Sequence, residues 1–303
     1  MEEKPYRDLN GYYRSLFGCK IAKIALDGGF TCPNRDGTCG TGGCLFCSSG
    51  GSGDFAENAA LSITQQIAKG RAQTAKKWAD SKYIAYFQAF TNTYAPVAVL
   101  RAKFEEALAQ PDIVGLSIAT RADCLPEDVI ALLSELNQKT KVWVEIGLQT
   151  ANEATAQIIR RGYDNFVFAD AVYRLHQAHI SVVVHTILGL PGETLSDVLQ
   201  TMTYLNTLPI EGIKLQLLHV LSDTDLAQWY TDGRYQPLEL QTYIDWVCAC
   251  IATLREDIVI HRLTGDGDRK TILAPLWSLH KRMVWNALHK QMRAQNIRQG
   301  QNT

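Results

Sequence analysis

Apolar residues recur along the chain in short β-rich runs that alternate with segments of helical spacing. The runs predict six strands, at 20–28, 82–90, 112–120, 141–150, 179–193 and 212–221. Between them, apolar residues recur at four-residue intervals, as at Leu100, Phe104 and Leu108, and predict helices. Strands that are apolar on both faces are typical of a parallel sheet covered by helices. The pattern therefore predicts an α/β fold, a closed or partly closed (β/α) barrel of six units.

The remaining residues, 223–303, are predicted to form a mostly helical extension of a core that spans residues 1–222. From His261 to Thr303 eight lysines and arginines stand against two aspartates, a net charge of +6, whereas the whole chain carries −1. A global charge near zero gives no basic signature for nucleic acid, so such a partner would have to contact a local patch. The C-terminal segment is the candidate for that patch.

Composition narrows the class of protein. With 303 residues and 46% hydrophobic content the chain can bury a large core, and no stretch reaches the roughly twenty apolar residues of a membrane span. The first residues, "MEEKPYRDLNGYY", are too acidic and polar for a signal peptide, which predicts a cytoplasmic protein without membrane contact. In that reducing compartment eight cysteines indicate metal binding or catalysis rather than disulfides.

Half of these cysteines lie in one glycine-rich loop, residues 31–55, after the first predicted strand. The loop carries Cys32, Cys39, Cys44 and Cys47, separated by six, four and two residues. Four thiolates could hold a structural zinc ion, and an iron–sulfur cluster is equally natural on such a loop. The spacing alone leaves both open. Active groups of barrels gather at the C-terminal ends of strands, where this loop is predicted to lie.

The wider sequence resembles one family over nearly the whole chain. The segments that carry the resemblance are "FGCKIAKIALDGGFTCPNRDG", "GGCLFCSSGGSGDF", "FQAFTNTYAP", "VEIGLQTANEATAQIIRRGYD", "HTILGLPGET" and "HRLTGDGDRKTILAPLWS". They are similar to the radical S-adenosylmethionine (SAM) superfamily and, more closely, to its YhcC/YtqA family, which is related to the catalytic subunit of Elongator. The CX11CX2C spacing of Cys32, Cys44 and Cys47 departs from the CX3CX2C of most of the superfamily and resembles that branch.

The resemblance implies a partial (β/α)6 barrel of the radical SAM type, with a [4Fe-4S] cluster held by Cys32, Cys44 and Cys47. One iron stays open for the amino and carboxylate groups of SAM, so Cys39 is expected not to bind it. An electron from a donor such as flavodoxin or ferredoxin would then cleave SAM to a 5′-deoxyadenosyl radical, which abstracts a hydrogen atom from the substrate.

Other site residues are expected late in the strands. The period-two pattern of 141–150 places Glu145 and Gln149 on one face, predicted to be the barrel interior. The resemblance implies that Glu145 helps bind the SAM amino group or ribose, and the alternative is a salt bridge to a covering helix. It also implies that Thr91 and Asn92 lie near the SAM amino group, where a simple polar turn is the alternative.

Three further positions follow from the same resemblance or from their place after a strand. The turn formed by Gly189, Leu190 and Pro191 is expected near the SAM adenine. Arg121 and His219 are candidates for contact with the SAM carboxylate or the substrate, although a lone strand histidine is more often a core residue.

The resemblance also implies a substrate, the 5-substituent of the tRNA wobble uridine. The positive C-terminal segment would suit a phosphate backbone. Two other classes of protein stay open: a radical SAM enzyme that acts on a small metabolite or a protein, and a zinc-stabilised adaptor without catalysis.

Overall fold

The computed structural model of the protein describes residues 4–51, 53, 56–75, 78, 81–265 and 267–303. Three residues of the predicted cysteine loop, Ser52, Asp54 and Phe55, lie outside the described residues. The strands are β1 (Ile21–Leu26), β2 (Lys82–Phe87), β3 (Ile113–Thr120), β4 (Lys141–Gln149), β5 (Ser181–Leu188), β6 (Gly212–Leu217), β7 (Val220–Leu221), β8 (Val259–Arg262) and β9 (Ile272–Ala274). The helices are α1 (Leu9–Phe17), α2 (Ile63–Ala75), α3 (Val97–Leu108), α4 (Glu127–Lys139), α5 (Glu153–Ile158), α6 (Asn165–Gln177), α7 (Leu195–Asn206), α8 (Asp225–Thr231), α9 (Leu240–Thr253) and α10 (Lys281–Ala294).

The six predicted strands are present, but the parallel sheet has seven, in the order β1-β2-β3-β4-β5-β6-β8. The seventh strand, β8, was not predicted because it belongs to the C-terminal extension and is only four residues long, too short for a period to show. It pairs with β6 in parallel, Gly212 beside Val259. The extension is otherwise mostly helical, and β7 and β9 form a small antiparallel pair. Within the described residues, no helix has the length and apolar character to cross a membrane.

Helix α6, between β4 and β5, is absent from the pattern prediction. Its apolar face is regular, since Phe168, Val172 and Leu175 are fully buried. Two exposed aromatic residues, Phe166 and Tyr173, lie outside that face and blur the contrast between apolar and polar positions. The helix forms because its buried stripe packs on the sheet, whatever its surface carries.

The sheet separates two environments, and β4 shows both. Val142, Val144 and Ile146 are fully buried in the main core, which the sheet shares with the surrounding helices. Burial of each such side chain contributes about 1.5–3 kcal/mol to stability. The alternate residues, among them Glu145 and Gln149, line the interior of the curled sheet. The predicted assignment of the two faces is confirmed.

Helix α1 fills one end of the barrel interior. The helix packs against β1 and β8, the two edge strands of the described sheet. Its Tyr13 ring lies edge-on to Trp143, with 5.6 Å between ring centroids, in a small apolar cluster with Ile84 and Val183. Because these four side chains close the N-terminal end, the next inward-facing residues of the strands form the floor of what remains open.

Candidate cofactor and substrate site

A cavity of about 480 Å³ lies inside the curled sheet and reaches the loops after the strands. Its wall contains Cys32, Cys44 and Cys47. Cys39 is exposed, and its Sγ lies 3.9 Å from Asp123 Oδ2. The structure therefore brings the three predicted ligands to one cavity and leaves the fourth thiol of the loop at the surface. Of the remaining cysteines, Cys124, Cys248 and Cys250 are buried and Cys19 is half-buried.

Short hydrogen bonds hold the cysteine loop in shape. The Cys32 carbonyl accepts from the Arg35 N–H at 2.8 Å, and the Cys44 carbonyl accepts from the Cys47 N–H at 3.0 Å. Arg35 then joins the two halves of the loop, because its Nη2 donates to the carbonyls of Cys47 at 2.9 Å and Ser48 at 2.6 Å. Each of the three predicted ligands thus lies at a tight turn of fixed backbone.

One apolar side chain, Leu45, anchors this loop to the rest of the fold. It is buried in a cluster with Ile159, Leu190 and Leu218, separate from the main core. Its N–H donates to the Ile159 carbonyl at 3.1 Å. A leucine between Cys44 and Cys47 therefore positions both cysteines, and Leu190 contributes to the site through this packing.

The donor set fits a cluster better than a single metal ion. Among the described residues, which include all eight cysteines, no three Cys, His, Asp or Glu side chains are close enough together to bind one ion. The three thiols nevertheless face one cavity, and a cluster spreads its ligands over several irons. Burial raises the pKa of the Cys44 thiol to about 12, while Arg121 and Asn34 oppose that rise. A thiol with a raised pKa loses its proton when a metal ion displaces it.

The opposite end of the cavity is ionic. Lys23 Nζ donates to Glu145 Oε1 at 2.6 Å, and Lys214 Nζ donates to Oε2. His185 Nε2 lies 2.6 Å from the same Oε2, and Ser117 Oγ donates to Oε1 at 2.5 Å. Four strands thus contribute one donor each to a carboxylate on a fifth. We call Lys23, Glu145, His185 and Lys214 the ionic floor.

Burial and charge shift the pKa values of the ionic floor. Burial acts to raise the pKa of Glu145, but the Lys214 and Lys23 charges outweigh it and hold that pKa well below its ordinary value. Burial, together with the Lys214 charge, lowers the pKa of His185 to about 4. Burial also lowers the pKa of Lys214 to about 7, although Glu145 opposes the change. At neutral pH the floor therefore holds an ionised carboxylate and a neutral imidazole, and Lys214 gives up its proton more easily than an ordinary lysine.

Glu145 lies inside the barrel, as predicted, but its partners come from strands and not from a covering helix. Other predicted residues in the cavity wall are Thr91, Arg121, Gln149 and His219. Arg121 donates to both carboxylate oxygens of Asp123, at 2.9 and 2.7 Å, so its guanidinium is already hydrogen-bonded. Its positive charge still acts on the cysteines. Gln149 ends β4 with φ of +62°, a strained value for a residue with a side chain.

The structure does not bring Asn92 or the turn at 189–191 into the described wall of the cavity. Asn92 is fully buried, and its Nδ2 donates to the Ala119 carbonyl at 3.0 Å, which holds the loop after β2 to the end of β3. The Gly189 carbonyl accepts from the Tyr235 hydroxyl at 2.8 Å, so this turn faces the C-terminal extension. Both segments therefore lie outside the cavity wall and hold neighbouring segments of the fold in place.

Sequence reasoning missed the cations of the floor. Lys23 and Lys214 interrupt otherwise apolar strands, "IAKIAL" and "GIKLQL". A charge in a buried strand requires a partner, and Glu145 posed the same requirement. The sequence signal was therefore that lysines and a glutamate, each in a buried strand, could serve as partners for one another. Arg262 could not be predicted to line the cavity, because it comes from the unpredicted strand β8. It lies beside Lys214 in the register of β8 with β6.

This arrangement of cysteine loop, curled sheet and interior cavity has counterparts among known proteins. Residues 35–205 match the radical SAM superfamily, and residues 210–294 match the Radical_SAM C-terminal domain. The chain is 46% identical to YtqA of Bacillus subtilis (strain 168) over 298 residues, 98% of this chain and 92% of that protein. The chain therefore belongs to the radical SAM superfamily and, within it, to the YhcC/YtqA family. Its cofactors are a [4Fe-4S] cluster and SAM.

Two other proteins are similar over smaller shares or at lower identity. The chain is 30% identical to tRNA uridine(34) acetyltransferase of Dehalococcoides mccartyi (strain CBDB1) over 168 residues, 54% of this chain and 36% of that protein. The structure of Elp3 from the archaeon Methanocaldococcus infernus superposes with a TM-score of 0.69 at 15% identity, covering 92% of this chain and 64% of that one. The second likeness confirms the fold.

Proposed function

We propose that this radical SAM enzyme modifies the 5-substituent of the wobble uridine of tRNA. The observation that carries the proposal is the similarity to tRNA uridine(34) acetyltransferase, whose name places its action on that nucleoside. A barrel interior that opens at one end suits a base turned out of its stack. The C-terminal segment supplies the positive charge that a phosphate backbone attracts.

In this proposal Cys32, Cys44 and Cys47 hold the [4Fe-4S] cluster, which supplies the electron that makes a radical from SAM. The chain's own residues bind SAM, shield the barrel interior from water and orient the bound molecules. The apolar cluster around Tyr13 and Trp143 closes the interior against water from below. The charge of Arg121, next to the cysteines, offsets the negative charge of a thiolate-held cluster.

The proposed SAM-binding residues are those in the wall near the cysteine loop, namely Thr91, Arg121, Gln149 and His219. Glu145 takes a different part, because both of its oxygens already accept hydrogen bonds from protein donors. We infer that it positions Lys23 and Lys214 and does not itself bind the SAM amino group. Asn92 and the turn at 189–191 shape the loops that surround SAM.

Helix α10 is the proposed contact for the tRNA backbone. Three of its exposed residues are Arg282, Lys290 and Trp285, which is 48% exposed. The buried face, with Val284 and Leu288, packs the helix on the extension. Cations interleaved with an exposed aromatic ring form the kind of surface that binds nucleic acid backbone and bases.

The test is nucleoside mass spectrometry of bulk tRNA from cells that lack the gene, complemented with variants. We expect wild type and Cys39→Ala to restore the wobble-uridine profile and Cys44→Ala to leave it as in the deletion. An unchanged profile in the deletion strain would contradict the proposed substrate.

Binding of purified tRNA tests the surface separately. Affinity should fall as salt rises, and Lys290→Gln should reduce the slope of log affinity against log salt by about one. Lys139→Gln, an exposed lysine on α4, should leave that slope unchanged. Affinity that does not respond to salt would favour a small metabolite as the substrate.

A further inference from the structure

Two glutamines, Gln88 and Gln216, lie in the cavity wall one level above the ionic floor. Both are half-buried. Gln88 follows β2, and its backbone N–H donates to the Leu26 carbonyl at 3.3 Å, so the pairing with β1 and the alternation of faces continue to this residue. Gln216 lies on β6. Each is therefore the next inward-facing residue after one nearer the floor, Tyr86 on β2 and Lys214 on β6.

The two glutamines stand on opposite sides of the cavity. At the floor, Lys214 Nζ donates to the Tyr86 hydroxyl at 3.0 Å, so the side chains of β6 and β2 meet there across the barrel interior. Two residues further along a strand is a step of about 6.6 Å. Because both strands run in the same direction in the parallel sheet, this step carries Gln88 and Gln216 toward the cysteine loop together. The two amides therefore flank the space above the floor.

Neither amide side chain has a hydrogen-bond partner among the described residues, and Gln88 Nε2 is buried as well. The groups of the ionic floor differ, because each is already bonded to Glu145. Polar side chains inside a protein are normally paired, so two unpaired amides that line one cavity indicate a ligand between them. An amide is uncharged and offers both an N–H donor and a carbonyl acceptor. The complementary group is therefore neutral and offers both as well.

We propose that Gln88 and Gln216 bind the uracil ring of the substrate by the edge that carries N3–H and its two neighbouring carbonyls. The proposal rests on the proposed function for the entry of a uridine into this cavity, and it adds how the base is held there. An amide N–H donates to a ring carbonyl while the amide carbonyl accepts from N3–H, a paired contact of the kind that glutamine makes with base edges. An unstacked base exposes this edge. Because C5 is not on it, the 5-substituent stays free to face the radical.

The test is equilibrium dialysis of uridine against the full chain, loaded with its cluster and saturated with SAM, under anaerobic conditions without a reductant. The matched probe is 3-methyluridine, which lacks N3–H and should bind wild type about tenfold more weakly. Gln88→Met and Gln216→Met should each weaken uridine about tenfold, and the double variant should no longer distinguish the two nucleosides. Gln177→Met, which changes an exposed glutamine on α6, should bind both as wild type does.

Three results would overturn the proposal. They are a wild type that fails to bind uridine more tightly than 3-methyluridine, a uridine affinity that neither single variant changes, and uridine that binds only when SAM is absent, which would place it in the SAM site. Should one variant not retain its cluster, the other still decides. Because dialysis requires no turnover, an unchanged tRNA profile in the deletion strain would remove the proposed function and leave this base subsite standing.

Discussion

The two ends of the cavity are built by opposite means. At the mouth, Cys32, Cys44 and Cys47 come from one loop, held by backbone hydrogen bonds, by Arg35 and by the buried Leu45. At the floor, Glu145 on β4 meets donors on β1, β3, β5 and β6, and its partner Lys23 lies 122 positions away in the chain. A loop of this kind can loosen without unfolding the protein, whereas the floor is part of the sheet. Changes at the mouth should therefore alter cofactor content, and changes at the floor should alter stability.

The largest effect should follow loss of a ligand at the mouth. Cys44→Ala should remove iron binding and SAM cleavage entirely, because two thiolates do not hold the cluster, and lower the free energy of unfolding by only about 1 kcal/mol. Cys39→Ala, which changes an exposed thiol of the same loop, should keep both. Iron content per chain and 5′-deoxyadenosine formation measure the difference. Iron lost from Cys39→Ala, or kept by Cys44→Ala, would show that the ligand set is wrong.

At the floor, the corresponding change should act on folding. Glu145→Ala leaves the buried Lys214 and the half-buried Lys23 without their counter-charge and should lower the free energy of unfolding by about 3–5 kcal/mol in urea titrations. Adding Lys214→Met to the same chain should recover part of that loss. Glu135→Gln, which breaks an exposed pair with Arg101, should have little effect. If Glu145→Ala proves as stable as Glu135→Gln, the floor does not stabilise the sheet.

The same contrast explains what the sequence could predict. That Cys32, Cys44 and Cys47 line one cavity was predictable because they are close together in the chain, and the alternation in β4 correctly placed Glu145 and Gln149 inside the barrel. That Lys23 and Lys214 meet Glu145 was not predictable, because the contact depends on the register of strands that are distant in sequence. The register is set by the whole buried face of each strand, and no local pattern carries it.

His185 should make the stability of the floor depend on pH. Its pKa is about 4 in the folded protein against an ordinary value of 6.5, so the unfolded chain binds the proton more readily between these values. Stability present above the ordinary pKa is therefore lost as the pH falls toward 4, and the lowered pKa of Glu145 acts in the same direction at more acid pH. In His185→Gln the loss between about pH 7 and about pH 4.5 should be smaller by about 2 kcal/mol.

Urea titrations at the two pH values measure that difference. His176→Gln, which changes an exposed histidine on α6, should lose as much stability as wild type. Equal losses of stability in wild type and His185→Gln would mean that protonation of His185 does not destabilise the folded protein. The ionic floor would then tolerate a further positive charge.

The smallest expected effect on folding lies at Arg35, where the mouth is held by one side chain. Its Nη2 donates to two carbonyls of the loop, and its guanidinium lies 5.7 Å from the centroid of the Phe90 ring. Arg35→Lys keeps the charge but is shorter and lacks the terminal Nη2 group that donates to both carbonyls. We expect iron to pass to a chelator about tenfold faster, since groups that orient ligands control metal affinity.

The free energy of unfolding of Arg35→Lys should fall by no more than about 1 kcal/mol, because the bonds lost join parts of one loop and no sheet contact changes. Arg101→Lys, at an exposed pair on α3, should alter neither quantity. A loss of stability as large as that of Glu145→Ala would mean that the loop is folded as one unit with the sheet. The mouth could then not bind its cofactor independently of the floor, and the two ends of the cavity would have to be treated as a single site.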